Sequence, residues 1–486
     1  MSEIHTPDWV KDAVFYQIFP DRFATGASVP KPSNLEPWDS PPTVFGFKGG
    51  DLIGVAERLD YLADLGINAI YFTPIFQSTA NHRYHTHDYY NVDPILGGNA
   101  ALHTLLEQAH RRGIRIVLDG VFNHASRGFF QFNHILENGP ASPYVDWFHI
   151  KGYPLYAYAP KRKPNYVAWA GLPALPKFNT DTPAVREFIF GVAEHWIRQG
   201  IDGWRLDVPT EINDDALWQE FRRRVKRINP DAYLVGEIWH ESQRWLQGDQ
   251  FDAVMNYLFT KACLSYFAGK TLNVSMARQV WGYRDLSPRT LAQFAAEIEH
   301  ILGLYHPEVN HALLNLLDSH DTPRFLTLAQ GDESALRLAT LFQMTYPGAP
   351  CIYYGDEIGM EGGHDPDCRR AFPWDERKWN HGLRDYAKRC VALRRAYPVL
   401  RRGDYRPLLA RDEIYAFART LGREAMLIIL NAGRSPQTVS LPPVVEWGAN
   451  PVFRDVWTGE ESHAVGGVIA DITVPPRNGR VLTLVA

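Results

Sequence analysis

Several apolar stretches of the chain end abruptly in polar residues that could perform acid–base or nucleophilic chemistry. The run RIVL is followed directly by Asp119, and Asn123 and His124 come shortly after it. Burial of neighbouring carboxylates raises their pKa values and destabilises the fold, so such a group is usually retained where it has a function. Three later runs end in the same way, with acids, one arginine and histidines: Arg205 and Asp207; Glu237 and His240; Asp318, His320 and Asp321.

Three of these carboxylates, Asp207, Glu237 and Asp321, match the requirements of glycosyl transfer. That reaction uses one ionised carboxylate as nucleophile and one protonated carboxyl group as acid. Arg205 precedes Asp207 by two residues, so on a strand both side chains point to the same side, and the cation would keep Asp207 ionised. A structural Asp–Arg pair is the alternative. The sequence contains no HExxH, GxSxG or glycine-rich phosphate motif that would favour another chemistry.

The elements that must position these groups are predicted to be alternating strands and helices. The apolar runs are apolar throughout rather than alternating, which is typical of parallel strands buried on both faces. Helical patterns that end at Gly66, Gly113 and Gly200 lie between them. The pattern predicts an α/β fold, a (β/α)8 TIM barrel, with a doubly wound open sheet as the alternative. The eight runs are residues 13–20, 67–75, 115–122, 203–208, 232–239, 251–257, 312–321 and 350–357.

Two segments do not fit the strand–helix repeat. Residues 125–181 are rich in Pro, Tyr, Phe and Trp and are too long for a structureless loop, so we predict a subdomain inserted after the third strand. Residues 399–486 alternate between apolar and polar residues and are punctuated by turn residues, which predicts a C-terminal antiparallel β-sandwich. The catalytic barrel would then comprise residues 1–124 and 182–398.

The composition indicates a large globular protein with neither a nucleic-acid nor a membrane partner. The chain has 486 residues, of which 45% are hydrophobic, and a formal net charge of −5, and its charges form no basic stripe. Its four cysteines lack CxxC spacing and are expected to be free thiols. We find neither a secretory signal pattern nor an apolar run of about 20 residues, and we therefore expect a cytoplasmic protein.

Four segments that contain the polar residues resemble, in order, the signature regions of the alpha-amylase family of glycoside hydrolases. They are DGVFNH (119–124), GWRLDVPTE (203–211), GEIWH (236–240) and LLDSHD (316–321). Three more segments resemble auxiliary regions of that family: FKGGDLIGV (47–55), LPKFN (175–179) and GDEIGM (355–360). The resemblance implies a retaining mechanism that acts on α-glucosidic bonds.

The resemblance also implies a role for each residue. Asp207 would be the nucleophile that forms a covalent glucosyl ester, Glu237 the general acid and base, and Asp321 a carboxylate that binds sugar hydroxyls. The implied separation of the Asp207 and Glu237 carboxyl groups is about 5–5.5 Å. Beside the nucleophile, Arg205 and Asp119 would form an ion pair. At the glucose next to the cleaved bond, Tyr84 would be a stacking platform, and His124 and His320 would be hydrogen-bond partners. Asp365 and Arg369 would contact the next sugar on the non-reducing side, Glu211 and Trp239 would lie on the leaving-group side, and His240 would be a further substrate contact. A surface salt bridge is the alternative for Asp365 and Arg369, and ordinary packing for Trp239.

The motif VPTE (208–211) resembles the neopullulanase and cyclomaltodextrinase branch, whose members usually carry an N-terminal β-domain that helps to form a dimer. This chain begins almost directly at the first predicted barrel strand, so we expect neither that domain nor its dimer, and the oligomeric state stays open. The expected activity is hydrolysis of mainly α-1,4 bonds in maltodextrins, and also in cyclodextrins, pullulan or starch. A glucanotransferase, or a trehalose- or sucrose-active transglycosylase, is the alternative, and the retained acids argue against a non-catalytic scaffold.

No metal ion and no cofactor is expected. The segment NHRYHTHDYY contains His82, His85 and His87, for which metal binding is an alternative to substrate contact or loop structure. In the family, the position of Asn123 and a loop after DRF often bind calcium. Here that loop reads ATGASVPKPSN and is poor in carboxylates, whereas calcium needs several oxygen ligands.

Overall fold

The computed structural model describes residues 4–159, 161–442, 447, 450–465 and 468–485. Its first part contains ten strands, eight of which belong to one parallel sheet. In chain order, the strands of this part are β1 (Phe15–Ile18), β2 (Ala69–Phe72), β3 (Phe76–Ser78), β4 (Thr86–Val92), β5 (Arg115–Gly120), β6 (Gly203–Leu206), β7 (Tyr233–Gly236), β8 (Ala253–Val254), β9 (Leu314–Leu316) and β10 (Ala349–Tyr353).

The eight-stranded sheet closes into a barrel. Its strand order is β8-β7-β6-β5-β2-β1-β10-β9, and Met255, which follows β8, pairs in parallel with Leu314 of β9. This pairing joins the two edges of the sheet, so the predicted (β/α)8 barrel is confirmed and the open doubly wound alternative is wrong. Strands β3 and β4 form a separate antiparallel hairpin.

Burial on both faces explains why the barrel strands read as continuous apolar runs. Every residue of β1, β2, β6 and β7 is buried. Two polar exceptions within these strands, Gln17 in β1 and Arg205 in β6, are also buried. Because buried polar groups require hydrogen-bond partners, these two residues point to polar partners inside the barrel.

Helices connect the strands and cover the outside of the barrel. They are α1 (Asp8–Lys11), α2 (Pro20–Phe23), α3 (Leu52–Glu57), α4 (Leu59–Leu65), α5 (Gly98–Arg111), α6 (Phe130–Asn138), α7 (Pro183–Arg198), α8 (Asp215–Ile228), α9 (Tyr257–Cys263), α10 (Val274–Ala277), α11 (Leu291–Gly303), α12 (Pro307–Asn310), α13 (Phe325–Leu328), α14 (Glu333–Thr345), α15 (His381–Ala396) and α16 (Pro398–Arg402). Gly66 ends α4 with a φ of 92°, a conformation that glycine adopts without strain. The helical pattern before it is divided at Arg58 into α3 and α4.

The segment between β5 and α7 contains α6 and otherwise short turns. Its interior is aromatic, because Phe132 packs against Phe148 and Tyr166 and all three rings are buried. His124 forms an isolated β-bridge with Lys177, so the segment leaves the barrel and returns to it near the end of β5. The domain boundaries predicted from the sequence stay a prediction.

The C-terminal part is antiparallel, as predicted. Its strands are β11 (Asp404–Arg411), β12 (Ile414–Leu421), β13 (Glu424–Asn431), β14 (Gln437–Leu441), β15 (Val452–Asp455), β16 (Glu461–Val465), β17 (Val468–Val474) and β18 (Asn478–Val485). They form one sheet with the order β11-β12-β13-β18-β15-β16-β17-β14, and apolar residues from β12, β13, β14 and β17 share one core, which gives a sandwich. Arg419 of β12 is buried and donates to the backbone oxygens of Thr345, Leu400 and Gly403, which ties the sandwich to the barrel.

The four cysteines are free thiols, all of them buried. In the described part of the chain, no helix combines the length and the apolar character that crossing a bilayer requires.

Candidate active site

The C-terminal ends of the barrel strands bring most of the predicted polar residues to one rim. Asp119, near the end of β5, lies opposite Arg205 of β6 in the parallel register. Asp207 and Glu237 directly follow β6 and β7, and Asp321 comes shortly after β9. Active sites of (β/α)8 barrels are built at this end because the strand ends and the loops after them converge there.

Arg205 connects three of the acids. Its side chain is 0% exposed. Nη1 donates to the two oxygens of Asp119 at 3.0 and 2.9 Å and to Oδ1 of Asp207 at 3.0 Å. Nη2 lies 3.0 Å from Oε2 of Glu237 but makes no aligned hydrogen bond with it. Burial disfavours the charged guanidinium, yet Asp119 and Glu237 outweigh this effect and raise the pKa of Arg205 well above its usual value.

Burial raises the pKa of all three carboxyl groups around Arg205. The pKa of Asp119 rises to about 6, against the opposing effect of Arg205. Burial and the charge of Glu237 raise the pKa of Asp207 well above its usual value, and Arg205 again opposes them. Burial also raises the pKa of Glu237. Because two buried negative charges repel each other, the site disfavours ionisation of both Asp207 and Glu237 at once, which suits a pair of one nucleophile and one acid.

Two N–H groups hold the carboxyl group of Glu237. The backbone N–H of Val208 donates to Oε2 at 3.1 Å, and the indole N–H of Trp239 donates to Oε1 at 3.0 Å. Val208 has a φ of 36° and a ψ of 50°, a left-handed conformation that is exceptional for a β-branched residue. Such strain is retained mainly at functional sites. Here the strained residue is the one whose backbone N–H donates to Glu237. Sequence analysis did not identify Val208.

Asp321 is the most accessible of the predicted catalytic acids. Its side chain is 30% exposed, compared with 9% for Asp207 and 7% for Glu237. Nη2 of Arg369 lies 3.4 Å from its Oδ1, and burial raises the pKa of Asp321 while Arg369 opposes this. Arg369 also pairs with Asp365 at 2.9 Å, so the structure links both of these predicted residues to Asp321.

Tyr84 and His320 connect Asp321 with Asp119. Nε2 of His320 lies 3.1 Å from Oδ2 of Asp321 and 2.6 Å from Oη of Tyr84, and that hydroxyl donates to Oδ2 of Asp119 at 2.9 Å. The amide of Gln17 donates to Nδ1 of His320 at 2.7 Å, so the ring proton is on Nε2. Burial lowers the pKa of His320 well below its usual value, and the imidazole is therefore neutral.

Gln17 and Tyr71 belong to this network but were missed by sequence analysis. Tyr71 of β2 donates to Oδ2 of Asp119 at 2.9 Å. A signal for Gln17 was available, because an amide that interrupts the apolar run AVFYQIFP needs a partner inside the barrel. Tyr71 gave no such signal, since tyrosine is common in ordinary strands.

His124 is buried beside the hairpin that contains Tyr84. Its ring stacks on Trp169 with a centroid distance of 5.4 Å and an interplanar angle of 23°. Burial lowers its pKa to about 3, so the ring is neutral. Among the described residues, Nε2 makes no aligned hydrogen bond, although a hydrogen bond to the backbone of Tyr84 opposes the fall in pKa. A buried polar atom without an aligned partner is unusual, which makes this nitrogen a candidate contact for a ligand.

Two predicted residues lie apart from the acids. Glu211 is exposed, and its backbone oxygen accepts a hydrogen bond from Nζ of Lys177 at 2.6 Å. His240 is exposed, and its Nδ1 lies 2.8 Å from the backbone oxygen of Glu241. Among the contacts of the described residues, none joins either side chain to the predicted catalytic carboxylates.

His82, His85 and His87 are the histidines for which metal binding was an alternative. His82 and His85 meet edge to face with ring centroids 4.9 Å apart, and burial lowers the pKa of both, that of His85 to about 4. Within the described ranges, no three His, Cys, Asp or Glu side chains are grouped closely enough to hold a metal ion. The expectation of no calcium stays a prediction.

Comparison with known proteins agrees with this geometry. The alpha-amylase catalytic domain matches residues 17–399, and the neopullulanase-like C-terminal domain matches residues 405–481. A cyclomaltodextrinase from Geobacillus thermopakistaniensis is 46% identical over 97% of this chain and 76% of its own length. An intracellular maltogenic amylase from Bacillus subtilis is 40% identical over 94% of this chain and 74% of its own length.

A solved structure extends the comparison to three dimensions. The debranching enzyme from Nostoc punctiforme is 51% identical, with a TM-score of 0.89 and 99% of both chains covered. The similarity therefore includes the barrel, the inserted segment and the C-terminal sandwich. The chain belongs to the alpha-amylase family of glycoside hydrolases, and its C-terminal domain is of the neopullulanase-like type.

Proposed function

We propose that this protein is a retaining hydrolase of α-glucosidic bonds, mainly α-1,4 bonds in maltodextrins, with cyclodextrins, pullulan and starch as further candidate substrates. The contacts of Arg205 with Asp119, Asp207 and Glu237 carry the proposal. They place the candidate nucleophile, Asp207, and the candidate acid, Glu237, next to the same buried guanidinium. The names of two relatives, cyclomaltodextrinase and maltogenic amylase, support an α-glucan substrate.

The proposed reaction has two halves. The carboxylate of Asp207 attacks the anomeric carbon while Glu237 gives its proton to the glycosidic oxygen, and the bond between that carbon and that oxygen breaks. The first sugar product leaves with the proton, and a glucosyl ester of Asp207 remains beside an ionised Glu237. Glu237 then takes a proton from water, whose oxygen attacks the anomeric carbon and releases Asp207 as a carboxylate. Two inversions at the same carbon give net retention.

The contacts around Arg205 support this division of roles. Nη1 donates an aligned hydrogen bond to Asp207 at 3.0 Å, and a charge-assisted bond of this kind favours the ionised form. The contact between Arg205 and Glu237 lacks that alignment. Burial raises the pKa of both carboxyl groups, so we use this difference in hydrogen bonding to assign the proton to Glu237. Once Asp207 is a neutral ester, its charge no longer opposes ionisation of Glu237, and Glu237 can act as the base.

Sugar binding is proposed for the remaining polar groups of the rim. The partly exposed carboxylate of Asp321 can accept hydrogen bonds from sugar hydroxyls. Nε2 of His124 makes no aligned hydrogen bond among the described residues and is proposed to bind a hydroxyl of the same sugar, for which the half-buried ring of Tyr84 serves as a platform. Arg369 and Asp365 are proposed to contact the next sugar. A separation of about 5–5.5 Å between the Asp207 and Glu237 carboxyl groups is part of the proposal.

Glu237→Gln tests the proposed acid, because glutamine keeps the size of the side chain but has no acidic proton. The kcat for maltotriose is expected to fall about 10³-fold, with an unchanged circular dichroism spectrum. Glu241→Gln is the matched control, since Glu241 is exposed and contacts His300, and it should retain wild-type activity. Proton NMR should show the α-anomer as the first product. Full activity of Glu237→Gln, or initial release of the β-anomer, would contradict the proposal.

A second candidate substrate is the α-1,6 bond of branched glucans. The 51% identity with a debranching enzyme over 99% of the chain favours it. Pullulan distinguishes the two, because cleavage at α-1,6 bonds releases maltotriose whereas cleavage at α-1,4 bonds releases panose or isopanose. Products longer than the substrate at high maltotriose concentration would instead favour the transglycosylase alternative.

We further propose an intracellular location and catalysis without a metal cofactor. The name of the Bacillus subtilis relative supports the location. Independence from a metal is supported by the proposed reaction, in which protein carboxyl groups supply the nucleophile, the acid and the base.

A further inference from the structure

The two carboxyl oxygens of Glu237 face different donors. Oε2 accepts from the backbone N–H of Val208 at 3.1 Å and lies 3.0 Å from Nη2 of Arg205. Oε1 accepts from the indole N–H of Trp239 at 3.0 Å. A proton on Oε2 would be directed against two N–H groups, whereas Oε1 keeps a lone pair that Trp239 does not use. In the proposed reaction, Oε1 is therefore the oxygen that carries the proton.

Packing fixes the direction of the Trp239 N–H group. The indole stacks on Tyr257 with a centroid distance of 3.6 Å and an interplanar angle of 7°, and it meets Tyr283 at 5.7 Å and 62°. Both tyrosines are buried. Gly282 provides the remaining space, because a Cβ at that position would lie 2.2 Å from Cε3 of Trp239. A larger residue at position 282 would displace the indole.

We propose that Trp239 is a positioning residue for the acid–base group: its indole N–H orients Oε1 of Glu237 and favours the ionised form that the second half of the reaction requires. This role rests on the proposed function of Glu237. It differs from a contact between the Trp239 ring and the sugar, because it acts through the nitrogen of the indole.

Trp239 is one of several groups that face Glu237. The charged and titratable ones are Arg205, Asp207, Asp321 and Tyr257. Burial raises the pKa of Glu237, and the Trp239 N–H opposes that rise together with Arg205 and the Val208 amide. In Trp239→Phe, an aromatic ring still packs on Tyr257, and the carboxylate loses one hydrogen-bond donor.

The test is the pH dependence of kcat/KM for maltotriose in Trp239→Phe. Loss of a hydrogen bond to the carboxylate should move the alkaline limb up by about one pH unit, because Glu237 stays protonated to higher pH. The matched control is Tyr257→Phe, which keeps the ring beneath the indole and leaves the indole N–H in place. A second substrate, α-maltosyl fluoride, has a leaving group that needs no proton, so its alkaline limb should not move in either variant.

Three results would overturn the proposal. They are an alkaline limb of Trp239→Phe that stays at the wild-type pH or moves down, an equal upward shift in Tyr257→Phe, and an equal shift with the fluoride substrate. Each would show that the indole nitrogen does not act on the acid proton. Glu237→Gln separates this result from an error in the proposed function. If Glu237→Gln hydrolyses maltotriose normally, the proposed function itself is wrong; if it is inactive, only the role of Trp239 is refuted.

Discussion

Removal of the positive charge of Arg205 should destabilise the protein, and the loss should grow with pH. Arg205→Met replaces the guanidinium by an apolar side chain of similar length. The guanidinium contacts Asp119, Asp207 and Glu237 at 2.9–3.0 Å, and none of these carboxylate side chains is more than 9% exposed. The variant would leave all three acids buried without their cation.

The magnitude follows from the number of buried partners. Removal of one partner of a buried ion pair costs about 3–5 kcal/mol. Because Arg205 contacts three carboxylates, we expect the free energy of unfolding to fall by about 5 kcal/mol at pH 8. The catalytic domain, residues 17–399 with the inserted segment included, unfolds with an entropy of about 0.8 kcal/mol per kelvin, so the melting temperature should fall by about 6 °C.

The pH dependence follows from the raised pKa values of the acids. The pKa of Asp119 in the folded protein is about 6 because burial outweighs Arg205, compared with about 3.9 in an unfolded chain. A carboxyl group with a raised pKa stabilises the fold fully at low pH, and this stability is lost as the pH rises through the folded-state pKa. Without Arg205 the pKa values rise further. The acids of the variant therefore carry less negative charge at pH 5 than at pH 8, and the fall in melting temperature should be smaller at pH 5.

Thermal unfolding followed by circular dichroism at pH 5 and pH 8 measures this difference. Arg394→Met is the matched control, because Arg394 is buried and donates to the backbone oxygens of Met344, Tyr346 and Leu400. Burial lowers the pKa of Arg394 to about 9, so its charge is constant over this range and its loss should be equal at both pH values. A loss for Arg205→Met that is equal at the two pH values, or larger at pH 5, would refute the reasoning.

Two further predictions concern the strained residue and the metal. Val208→Gly should raise the melting temperature by about 1 °C, because the strain of the left-handed backbone, about 1–3 kcal/mol, exceeds the entropic cost of a glycine. Calorimetry measures this change. A lower melting temperature would show that the Val208 backbone stores no such strain. Treatment with EDTA should change neither the melting temperature nor the rate of maltotriose hydrolysis, and a loss that added calcium restores would show that the protein depends on a metal.

The fold could be predicted because burial leaves a local record in the sequence. Each of the eight apolar runs overlaps a barrel strand; INAIYFTPI, for example, contains β2. A strand buried on both faces must be apolar along its length, and this pattern is visible without knowledge of its neighbours. The break at Arg58 between α3 and α4 was not visible, because the apolar spacing continues across it.

The sequence by itself determined which residues end the strands and therefore which acids share the rim. The tertiary structure alone decided which atoms meet. One guanidinium reaches Asp119, Asp207 and Glu237 because three neighbouring strands are in register, and Gly282, far along the chain, sets the position of Trp239. His240 follows Glu237 closely in the chain but is exposed. Contacts between side chains depend on strand register and on packing between distant segments, which no local pattern records.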